Sequence, residues 1–354
     1  MTGSRLAAAA TLSGALLACT GSVGGTRPVG PPPFPCDPAA CGDTTTSSSS
    51  GGFSTSGASG GVGGGWLAVP RVLTEGSNTT ANLYGIAGMG TLVVAVGEGG
   101  TILRRSGGVW VPEATPSGED LRGVLVPNAL RAVAVGDNAT VLDRQGGTWR
   151  TLTMGTGVER SVPLNAVVAD AYGDMVAVGG SERSGKGLLL SSLGGWTAVP
   201  SPQPLTPLYA LAPSAGGGPG GWAFGAGGVA IQLLRGGTPA QWLSVNGTVL
   251  GACTDVEGNM FVVTMEGRIF RRHWFADMDL TGFVLEFAGD RALLGVGCGQ
   301  RMVAVGEQGT VLVRMGTRWV AAAAPVQQNL WSAMVDVNGL VLVVGDRGTV
   351  LRLE

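Results

Sequence analysis

The chain has 354 residues, of which 44% are apolar and only 13% are charged, and its formal net charge is −2. This balance, without a basic run or a stacking motif, argues against a nucleic-acid partner. No apolar run of about 18 residues follows the N-terminus, so no membrane-spanning helix is predicted in the mature chain. The 63 glycines far exceed the usual ~7% of residues and predict low-complexity sequence together with frequent tight turns.

The N-terminal segment, residues 1–18, has the features of a targeting signal. It carries one early arginine, Arg5, and then an apolar stretch that is too short to span a bilayer. The stretch ends in "LLAC", from Leu16 to Cys19, which resembles the lipobox of bacterial lipoproteins. The resemblance implies cleavage before Cys19, lipidation of that cysteine and attachment to a membrane. Thr20 follows instead of an aspartate, which in the best-known members of the family favours the outer membrane. An ordinary secretory signal with a chance cysteine is the alternative.

Residues 19–65 are predicted to form a flexible tether behind the lipidated cysteine. They are first Pro-rich and then Ser- and Gly-rich, so they cannot bury enough apolar surface to fold. A flexible segment of this length has an end-to-end distance of roughly 35–40 Å. Cys36 and Cys41 could close a small disulfide loop, which an exported location permits.

Residues 66–354 repeat a unit of about forty residues, the size of a four-stranded propeller blade. Each unit contains a strand of the "VAVG" type, and the residues that end these strands are Gly97, Gly136, Gly179, Gly225, Thr264, Gly306 and Gly345. The positions of these residues define seven units. The sequence therefore predicts an all-β fold, a seven-bladed β-propeller with four-stranded blades.

Each unit divides into strands A to D. Strand A opens on an apolar residue such as Leu83, strand B is the "LVVAVG" type, strand C the "GTIL" type, and strand D carries a tryptophan such as Trp110. The last unit ends at strand C, whereas "GWLAVP", from Gly65, is a tryptophan strand with no A, B or C before it. We therefore predict that the segment at Trp66 completes the seventh blade and closes the ring, which leaves no blade edge unpaired.

The "aVGxxGtil…W" unit resembles the repeats of sialidase-type (BNR, Asp-box) propellers and of photosystem II assembly-factor-like propellers. The resemblance covers residues 66–354 and implies the fold much more than a function. The nearest approach to an Asp box, "DRQGGTW" from Asp143 to Trp149, has one residue too many between Asp and Trp. Sialidases need an arginine triad, a tyrosine nucleophile and an acid/base carboxylate, and no recognisable set is present among three tyrosines. The lone His273 is predicted to be a solvated rim residue. We predict no enzyme, no metal and no cofactor.

The second residue of strand A is the most informative position for binding. In this fold family strand A lines the central channel, and a purely structural position there would be small or aliphatic in most blades. Around the ring it reads Tyr84, Arg122, Asn165, Tyr209, Gly251, Leu294 and Trp331. Aromatic, Arg and Asn side chains at one channel mouth are typical of recognition surfaces. Packing beneath the D–A loops is the alternative interpretation.

Two sets of charged residues are predicted to occupy opposite faces. The resemblance places the B–C turns and the D–A loops on one face, around the channel mouth. The B–C turns carry four acidic residues: Glu98, Asp137, Glu307 and Asp346. Strand C ends in arginines nearer the opposite face: Arg104, Arg105, Arg144, Arg271, Arg272, Arg314 and Arg352. This pattern predicts one acidic and one basic face, unless the charges merely solvate polar turns and edges.

Cys253 and Cys298 lie on the A strands of adjacent units, five and six. We expect them to lie close together and to form a disulfide in the exported protein. Two buried free thiols are the alternative.

Three functions fit these features. The first is a lipid-anchored propeller of the bacterial outer membrane, periplasmic or surface-exposed, that binds a protein or glycan partner of the cell envelope. The second is a glycan-processing enzyme with a diverged site, which would require a carboxylate pair about 5–10 Å apart in the channel mouth. The third is a structural envelope component without a discrete ligand, for which a uniformly polar channel mouth is expected.

Overall fold

A computed structural model describes residues 69–170, 172–214, 220–273 and 282–354. These residues form seven four-stranded antiparallel sheets, the blades of a propeller, which confirms the predicted fold class. The predicted signal peptide, Cys19, the tether and Trp66 lie outside the described residues. In the part of the chain that is described, no helix is long and apolar enough to cross a membrane.

The first four blades follow one another along the chain, and within each blade the strands run from A to D in chain order. Blade 1 contains β2 (Leu83–Met89), β3 (Leu92–Gly97), β4 (Ile102–Ser106) and β5 (Val109–Pro112). Blade 2 contains β6 (Leu121–Asn128), β7 (Arg131–Gly136), β8 (Thr140–Gln145) and β9 (Thr148–Thr151). Blade 3 contains β10 (Leu164–Ala169), β11 (Met175–Ser181), β12 (Lys186–Ser191) and β13 (Thr197–Ala198). Blade 4 contains β14 (Leu208–Pro213), β15 (Gly221–Gly225), β16 (Val229–Leu233) and β17 (Pro239–Ser244).

The last three blades continue the pattern, and the final one borrows its outer strand from the start of the described chain. Blade 5 contains β18 (Val249–Thr254), β19 (Met260–Thr264), β20 (Arg268–Arg272) and β21 (Val284–Ala288). Blade 6 contains β22 (Leu293–Cys298), β23 (Met302–Gly306), β24 (Val311–Met315) and β25 (Arg318–Ala321). Blade 7 contains β26 (Leu330–Val335), β27 (Val341–Gly345), β28 (Val350–Leu353) and β1 (Val72–Glu75).

The ring closes through β1, which pairs antiparallel with β28 from Val72 opposite Leu353 to Glu75 opposite Val350. The prediction of closure by an N-terminal strand is confirmed, but the strand lies at Val72–Glu75 and not at Trp66. Val72 takes the register position that Trp110 takes in blade 1. The closing strand therefore lacks the tryptophan by which strand D was identified in the sequence.

The core lies between neighbouring blades. Strand B is buried along its whole length in blade 1, where Val94, Ala95 and Val96 have no exposed surface. One apolar cluster joins Val94 of blade 1 to Ala134 and Trp149 of blade 2. Because both faces of strand B contact another blade, its sequence is continuously apolar instead of alternating.

The glycine that ends strand B is required by close packing. Gly97 has an extended backbone, with φ −171°, yet a Cβ there would lie 2.0 Å from the carbonyl oxygen of Asn82. The same clash, at 2.0–2.3 Å from the carbonyl oxygen of the residue before strand A, would arise at Gly136, Gly179, Gly225, Gly306 and Gly345. This contact explains why the glycine recurs with the period of the blade.

Short 3₁₀ turns connect strand B to strand C in five blades: Glu98–Gly100, Asp137–Ala139, Ala226–Gly228, Glu307–Gly309 and Asp346–Gly348. A sixth 3₁₀ turn, Arg235–Gly237, lies between strands C and D of blade 4. The middle residue of each B–C turn is left-handed, and at Arg347 its φ is 55°. A side chain of the next blade caps the amide there: Asn82 accepts from Arg347 N at 2.9 Å, and Asp120 accepts from Gly99 N at 2.8 Å.

Candidate functional site

The seven A strands surround a central cavity of about 510 Å³ at the face where these strands begin. We call this opening the channel mouth, and the face around it, formed by the B–C turns and D–A loops, the mouth face. The second residue of every A strand lines the cavity: Tyr84, Arg122, Asn165, Tyr209, Leu250, Leu294 and Trp331. The structure thus brings the five predicted binding residues of strand A into one cavity.

One residue of the predicted ring is displaced by one position. Strand A of blade 5 begins at Val249, which pairs with Thr264 as Leu83 pairs with Gly97 in blade 1. The second residue of this strand is therefore Leu250 and not Gly251. Val249 is buried and fills the first position, so the leucine pattern in the sequence was read one residue too late.

Three aromatic side chains from three blades are half-buried at the mouth: Tyr84, Tyr209 and Trp331. Tyr84 and Trp331 belong to adjacent blades, and their rings meet edge to face with centroids 5.8 Å apart. The indole Nε1 of Trp331 donates a hydrogen bond of 2.6 Å to the Asp346 carboxylate of the B–C turn. The rings of Tyr84 and Trp331 are therefore held in a fixed orientation, while part of each ring remains accessible to solvent.

Arg122 is held at the mouth by a two-point ion pair with the B–C turn of its own blade. Its Nε and Nη2 donate to the Asp137 carboxylate at 2.5 and 3.2 Å. The hydrogen bond to Asp137 raises the pKa of the guanidinium despite its partial burial. The Arg122 side chain is 41% exposed, so a positive group with a fixed direction faces the cavity.

Asn165 has a structural role that the sequence pattern did not indicate. Its Nδ2 donates to the carbonyl oxygens of Gly180, at 3.1 Å, and Leu208, at 2.8 Å. Leu208 begins strand A of blade 4, so the amide joins two adjacent blades. Both donor positions of the amide are occupied, and its oxygen is the atom left for a ligand.

All four predicted acidic residues lie on the mouth face. Asp137 and Asp346 bind Arg122 and Trp331, as described above. Glu98 accepts the backbone N–H of Asn82 at 3.1 Å, and Glu307 is exposed. The acidic rim thus consists partly of carboxylates that position mouth residues and partly of solvent-exposed charge.

Two further acidic residues belong to this rim and were missed in the sequence. Glu266 of blade 5 accepts the N–H of Thr248 at 3.1 Å, as Glu98 does from Asn82, although its turn is shifted by one residue. Glu182 lies in the longer B–C connection of blade 3, close to Tyr209. The signal that could have found both is an acidic residue one or two positions after the usual one.

The surroundings of the two mouth phenols raise the pKa of each above the ordinary value for tyrosine. Burial, followed by the charge of Glu182 and a hydrogen bond with it, raises the pKa of Tyr209 to about 12. Burial also raises the pKa of Tyr84, and the carboxylates of Asp120 and Glu98 act in the same direction. Both tyrosines offer hydroxyl groups to a ligand at ordinary pH, as an unperturbed tyrosine would, and the raised pKa keeps them neutral in more alkaline solution as well.

The predicted basic face is corrected by the structure, because the strand C arginines are largely neutralised at the perimeter. There, a glutamate at the outer strand of three blades binds two arginines and a tryptophan, an arrangement we call a glutamate clamp. Glu113 accepts from Arg104 of its own blade and from Arg144 of the next blade, each at 2.8 Å, and from Trp149 Nε1 at 2.8 Å.

The same clamp recurs at two other blade junctions. Glu75 pairs with Arg352 of its own blade and Arg105 and Trp110 of the next. Glu286 pairs with Arg271 of its own blade and Arg314 and Trp319 of the next. The three glutamate side chains are only 10–12% exposed. These arginines therefore hold blades together and do not form a free basic surface.

The chemistry of the cavity is defined by its lining. Among the described residues that line it, Arg122 is the single charged side chain, and neither a carboxylate nor a histidine is present. No cluster of three or more His, Cys, Asp or Glu side chains suited to a metal ion occurs in the described part of the chain. His273 is exposed at the end of strand C of blade 5, on the side opposite the mouth.

The A strands of blades 5 and 6 are joined near the other end of the channel. A disulfide connects Cys253 and Cys298, whose Cα atoms lie 5.7 Å apart. This separation lies in the ordinary range for the bond. The cross-link fixes two neighbouring blades in addition to the Glu286 clamp at the same junction.

Comparisons with known proteins relate the chain to propellers of several functions. No protein-family model matches the sequence, and no curated protein does. Among solved structures, a streptogramin B lyase superposes with a TM-score of 0.67 at 10% identity, covering 81% of this chain and 98% of the lyase. The WD40 propeller of Doa1 gives 0.62 at 13% identity, covering 81% and 97%. YCF48 bound to a D1 peptide gives 0.60 at 15% identity, covering 81% and 99%. At these identities the likeness establishes the propeller fold, which enzymes and non-enzymes share.

Proposed function

We propose that the chain is a binding module of the bacterial cell envelope that recognises a protein or glycan partner at the channel mouth. The observation that carries this proposal is the convergence of Tyr84, Tyr209 and Trp331, half-buried residues of three blades, on one cavity. A concave pocket lined by several aromatic rings and a few convergent polar groups is typical of a ligand-binding site.

The chemistry around these rings favours a ligand with a cationic group. Asp346 holds the Trp331 indole, while Glu98 and Asp120 lie close enough to Tyr84 to raise its pKa. A cation over an aromatic face gains from the ring quadrupole, and neighbouring carboxylates add to that attraction. A lysine or arginine side chain of a peptide, or an amino sugar, satisfies this description. One structural neighbour, YCF48, is described as bound to a peptide, so peptides are the class to test first.

We propose binding without catalysis at this site. A diverged glycan-processing enzyme would need two carboxylates about 5–10 Å apart at the reacting bond. The cavity lining supplies Arg122 and no carboxylate among the described residues. A purely structural component would instead call for a uniformly polar mouth, which three aromatic residues argue against.

We further propose that Cys19 is lipidated and anchors the chain to the outer membrane. The lipobox-like "LLAC" at Leu16–Cys19 supports this, and so does the Cys253–Cys298 bond, because disulfides persist in oxidising compartments outside the cytosol. Replacing Cys19 by Ala should release the protein from the membrane fraction of its host. Unchanged membrane association of the full-length variant would contradict the anchor.

The mouth is tested with arrays of peptides and glycans probed by the purified full-length protein. We expect binding to ligands that carry lysine, arginine or amino-sugar groups, and loss of that binding in Trp331→Ala. Tyr172→Ala is the matched control, because Tyr172 is an exposed aromatic residue on the opposite face. Equal binding by the Trp331 variant, or equal loss in both variants, would contradict the proposed site.

A further inference from the structure

The B–C turn of blade 2 differs from the other 3₁₀ B–C turns at its third residue. In blades 1, 4, 6 and 7 this residue is a left-handed glycine: Gly100, Gly228, Gly309 and Gly348. In blade 2 it is Ala139, which is buried and has a φ of 51°. The Cβ of alanine makes this conformation unfavourable, and residues held in it cluster at functional sites. The turn of blade 2 is therefore a candidate site outside the channel mouth.

Glycine is required in the other four turns because the D–A loop packs directly on it. A Cβ at Gly309 would lie 2.1 Å from the carbonyl oxygen of Val326, and the other three glycines would clash with a loop carbonyl oxygen at 1.8–2.0 Å. The Gly309 N–H donates to the carbonyl oxygen two residues after Val326, at 2.8 Å. In blade 2 the Ala139 N–H donates at 3.0 Å to that of Val162, two residues after Arg160. Arg160 therefore corresponds to Val326, but the methyl group of Ala139 keeps the Arg160 carbonyl oxygen away from the turn.

A cavity of about 340 Å³ lies between this turn and the D–A loop of blade 2. The loop, residues 152–163, is the longest of the seven D–A loops, each of which lies within the described residues. It reaches blade 3, where Gly155 N donates to the carbonyl oxygen of Trp196 at 2.7 Å. It returns through a turn in which Val162 N donates to the carbonyl oxygen of Glu159 at 3.2 Å. The cavity is therefore framed by a loop with defined contacts at both of its ends.

Side chains that can form hydrogen bonds line this cavity together with a small apolar patch. The polar members are Asn138, Thr140, Thr151, Thr153 and Arg160. Leu152 and Met154 contribute to the apolar part. None of the five polar side chains has a hydrogen bond or an ion pair with another described residue. One guanidinium, three hydroxyls and one amide are therefore available to a ligand.

The backbone adds a further donor at the same turn. In blades 1, 6 and 7 the N–H of the middle turn residue donates to a side chain of the next blade: Asp120, Asn329 or Asn82. The corresponding residue before strand A of blade 3 is Pro163, which has no side-chain acceptor. The Asn138 N–H therefore has no partner among the described residues. Backbone N–H groups of turns and guanidinium groups are donors that proteins use to bind phosphate.

We propose that this cavity is a second binding site on the mouth face and takes a sugar phosphate, in which a phosphate monoester is attached to a hydroxylated ring. Arg160 and the Asn138 N–H bind the phosphate oxygens, and the threonine hydroxyls bind hydroxyl groups of the sugar. Leu152 and Met154 contact a C–H face of the ring. The inference does not rest on the function proposed for the channel mouth, since no described residue lines both cavities.

The charges near the cavity favour an anion although the rim of the mouth is acidic. Asp137 and Glu159, which are next in sequence to lining residues, are paired with Arg122 and Lys186. Arg160 is exposed and is the single charged residue in the described lining. Its positive field is therefore not cancelled within the cavity, and raising the ionic strength should weaken binding.

Titration calorimetry of the purified full-length protein tests the site, with glucose 6-phosphate, glucose and inorganic phosphate as probes. We expect glucose 6-phosphate to bind, and the other two to bind at least about ten-fold more weakly, because each lacks one half of the recognised chemistry. Arg160→Gln should weaken the binding of glucose 6-phosphate by about ten-fold or more, because a charge-assisted hydrogen bond is lost. Arg318→Gln, which changes an exposed arginine at the start of strand D in blade 6, is the matched control and should leave the affinity unchanged.

The variant Ala139→Gly tests whether the methyl group holds the cavity open. With glycine, the D–A loop can close on the turn as it does in the other four blades. The affinity for glucose 6-phosphate should therefore fall, while the melting temperature stays the same or rises because the left-handed backbone is no longer strained. Unchanged affinity in this variant would contradict the role of the methyl group.

Several outcomes would overturn the site. These are no binding of glucose 6-phosphate, equal affinity for glucose, or equal loss of affinity in Arg160→Gln and Arg318→Gln. Equal affinity for inorganic phosphate would reduce the cavity to a site for free anions. Loss of binding in Trp331→Ala would assign the probe to the channel mouth instead. Since Trp331 does not line this cavity, we expect that variant to bind glucose 6-phosphate as the parent protein does, so failure of this site and failure of the mouth are measured separately.

Discussion

The perimeter and the channel mouth of this propeller are built from the same residue types and differ in how completely their charged and aromatic side chains are paired and buried. At the perimeter, Glu113 receives hydrogen bonds from two arginines and an indole, and its side chain is 12% exposed. At the mouth, Arg122 has one carboxylate partner and Trp331 has one, and the Arg122 side chain is 41% exposed. The difference teaches that residue type alone does not mark a binding site. Solvent access to an aromatic ring, or to the remaining N–H groups of a guanidinium, does.

The perimeter itself contains a second contrast, because glutamate clamps occur at three of the blade junctions. The other blades carry apolar residues at the register position of the clamp glutamate, and these pack in the apolar clusters between blades: Leu152, Val199, Leu243 and Ala322. The junctions around blade 1 are therefore polar networks, whereas those around blades 3 and 4 are apolar. The two kinds of junction should respond differently to substitution and to pH.

The largest loss of stability is expected from deleting strand β1, which carries the clamp residue Glu75. Deleting Val72–Glu75 leaves β28 as an unpaired edge, exposes the apolar cluster that Val72 covers, and leaves Arg105 and Trp110 without their carboxylate. We expect the free energy of unfolding to fall by more than about 3 kcal/mol, with increased aggregation. Chemical denaturation and light scattering measure both. Deleting Ser47–Ser50 is the control of equal length, and equal effects of the two deletions would contradict closure by β1.

A smaller but still large loss of stability is expected from removing the glutamate of a single clamp. Glu113→Leu reproduces the residue that blade 2 has at the same register position, but it leaves Arg104 and Arg144 without a partner at a partly buried site. We expect a loss of about 3 kcal/mol, because the cost of removing one partner of a buried ion pair exceeds the worth of the pair. Denaturant unfolding measures it. Leu152→Met, at the matched apolar junction, should cost less than about 1.5 kcal/mol.

The clamps also predict the pH dependence of stability. Burial raises the pKa of Glu113 and Glu286, but hydrogen bonds from the arginines and from Trp149 and Trp319 outweigh it, so that the pKa of each carboxyl lies below its ordinary value. A depressed folded-state pKa contributes stability above the unfolded value of about 4.3 and loses it as pH falls through the folded value.

We therefore expect the melting temperature to be flat above about pH 5 and to fall increasingly below about pH 4. Glu113→Leu should show a shallower fall, because one of the titrating groups is absent. Melting curves from neutral pH to about pH 3 test this. A variant whose curve runs parallel to that of the parent protein would exclude Glu113 as a contributor to acid sensitivity.

The fold was predictable from the sequence because each blade repeats the same local requirement. Glycine at the end of strand B avoids a backbone clash, and apolar strands B are buried on both faces, so both recur with the period of the blade. The closing strand was misplaced because Val72 fills the position where the other blades use tryptophan. A search for the glutamate three residues after that position, as in Trp110 and Glu113, would have found Val72 and Glu75.

The sequence predicted which residues lie at the channel mouth, but not which contacts each of them makes there. Equivalent strand positions bring Tyr84, Tyr209 and Trp331 together because the ring is symmetric. That Asn165 joins two blades depends on the carbonyl oxygens of Gly180 and Leu208, which no sequence pattern reports. The clamps were likewise hidden, since each joins a glutamate to one arginine of its own blade and to another of the next blade, about thirty residues further along the chain.

The smallest effect on stability is expected from replacing the mouth tryptophan, Trp331, by phenylalanine. The same substitution of the perimeter tryptophan, Trp319, provides the comparison. Trp331→Phe removes the indole donor of Asp346, which is half-buried and open to replacement by water, so the cost should be about 1 kcal/mol or less. Trp319→Phe removes the donor of Glu286, whose side chain is only 10% exposed, and should cost about 1.5–3 kcal/mol. Ligand binding should reverse the order, being weakened by Trp331→Phe and unaffected by Trp319→Phe. Chemical denaturation and titration with an array-selected peptide measure the two quantities. A Trp331 variant that loses as much stability as the Trp319 variant, with ligand affinity intact, would place Trp331 with the structural residues of the perimeter.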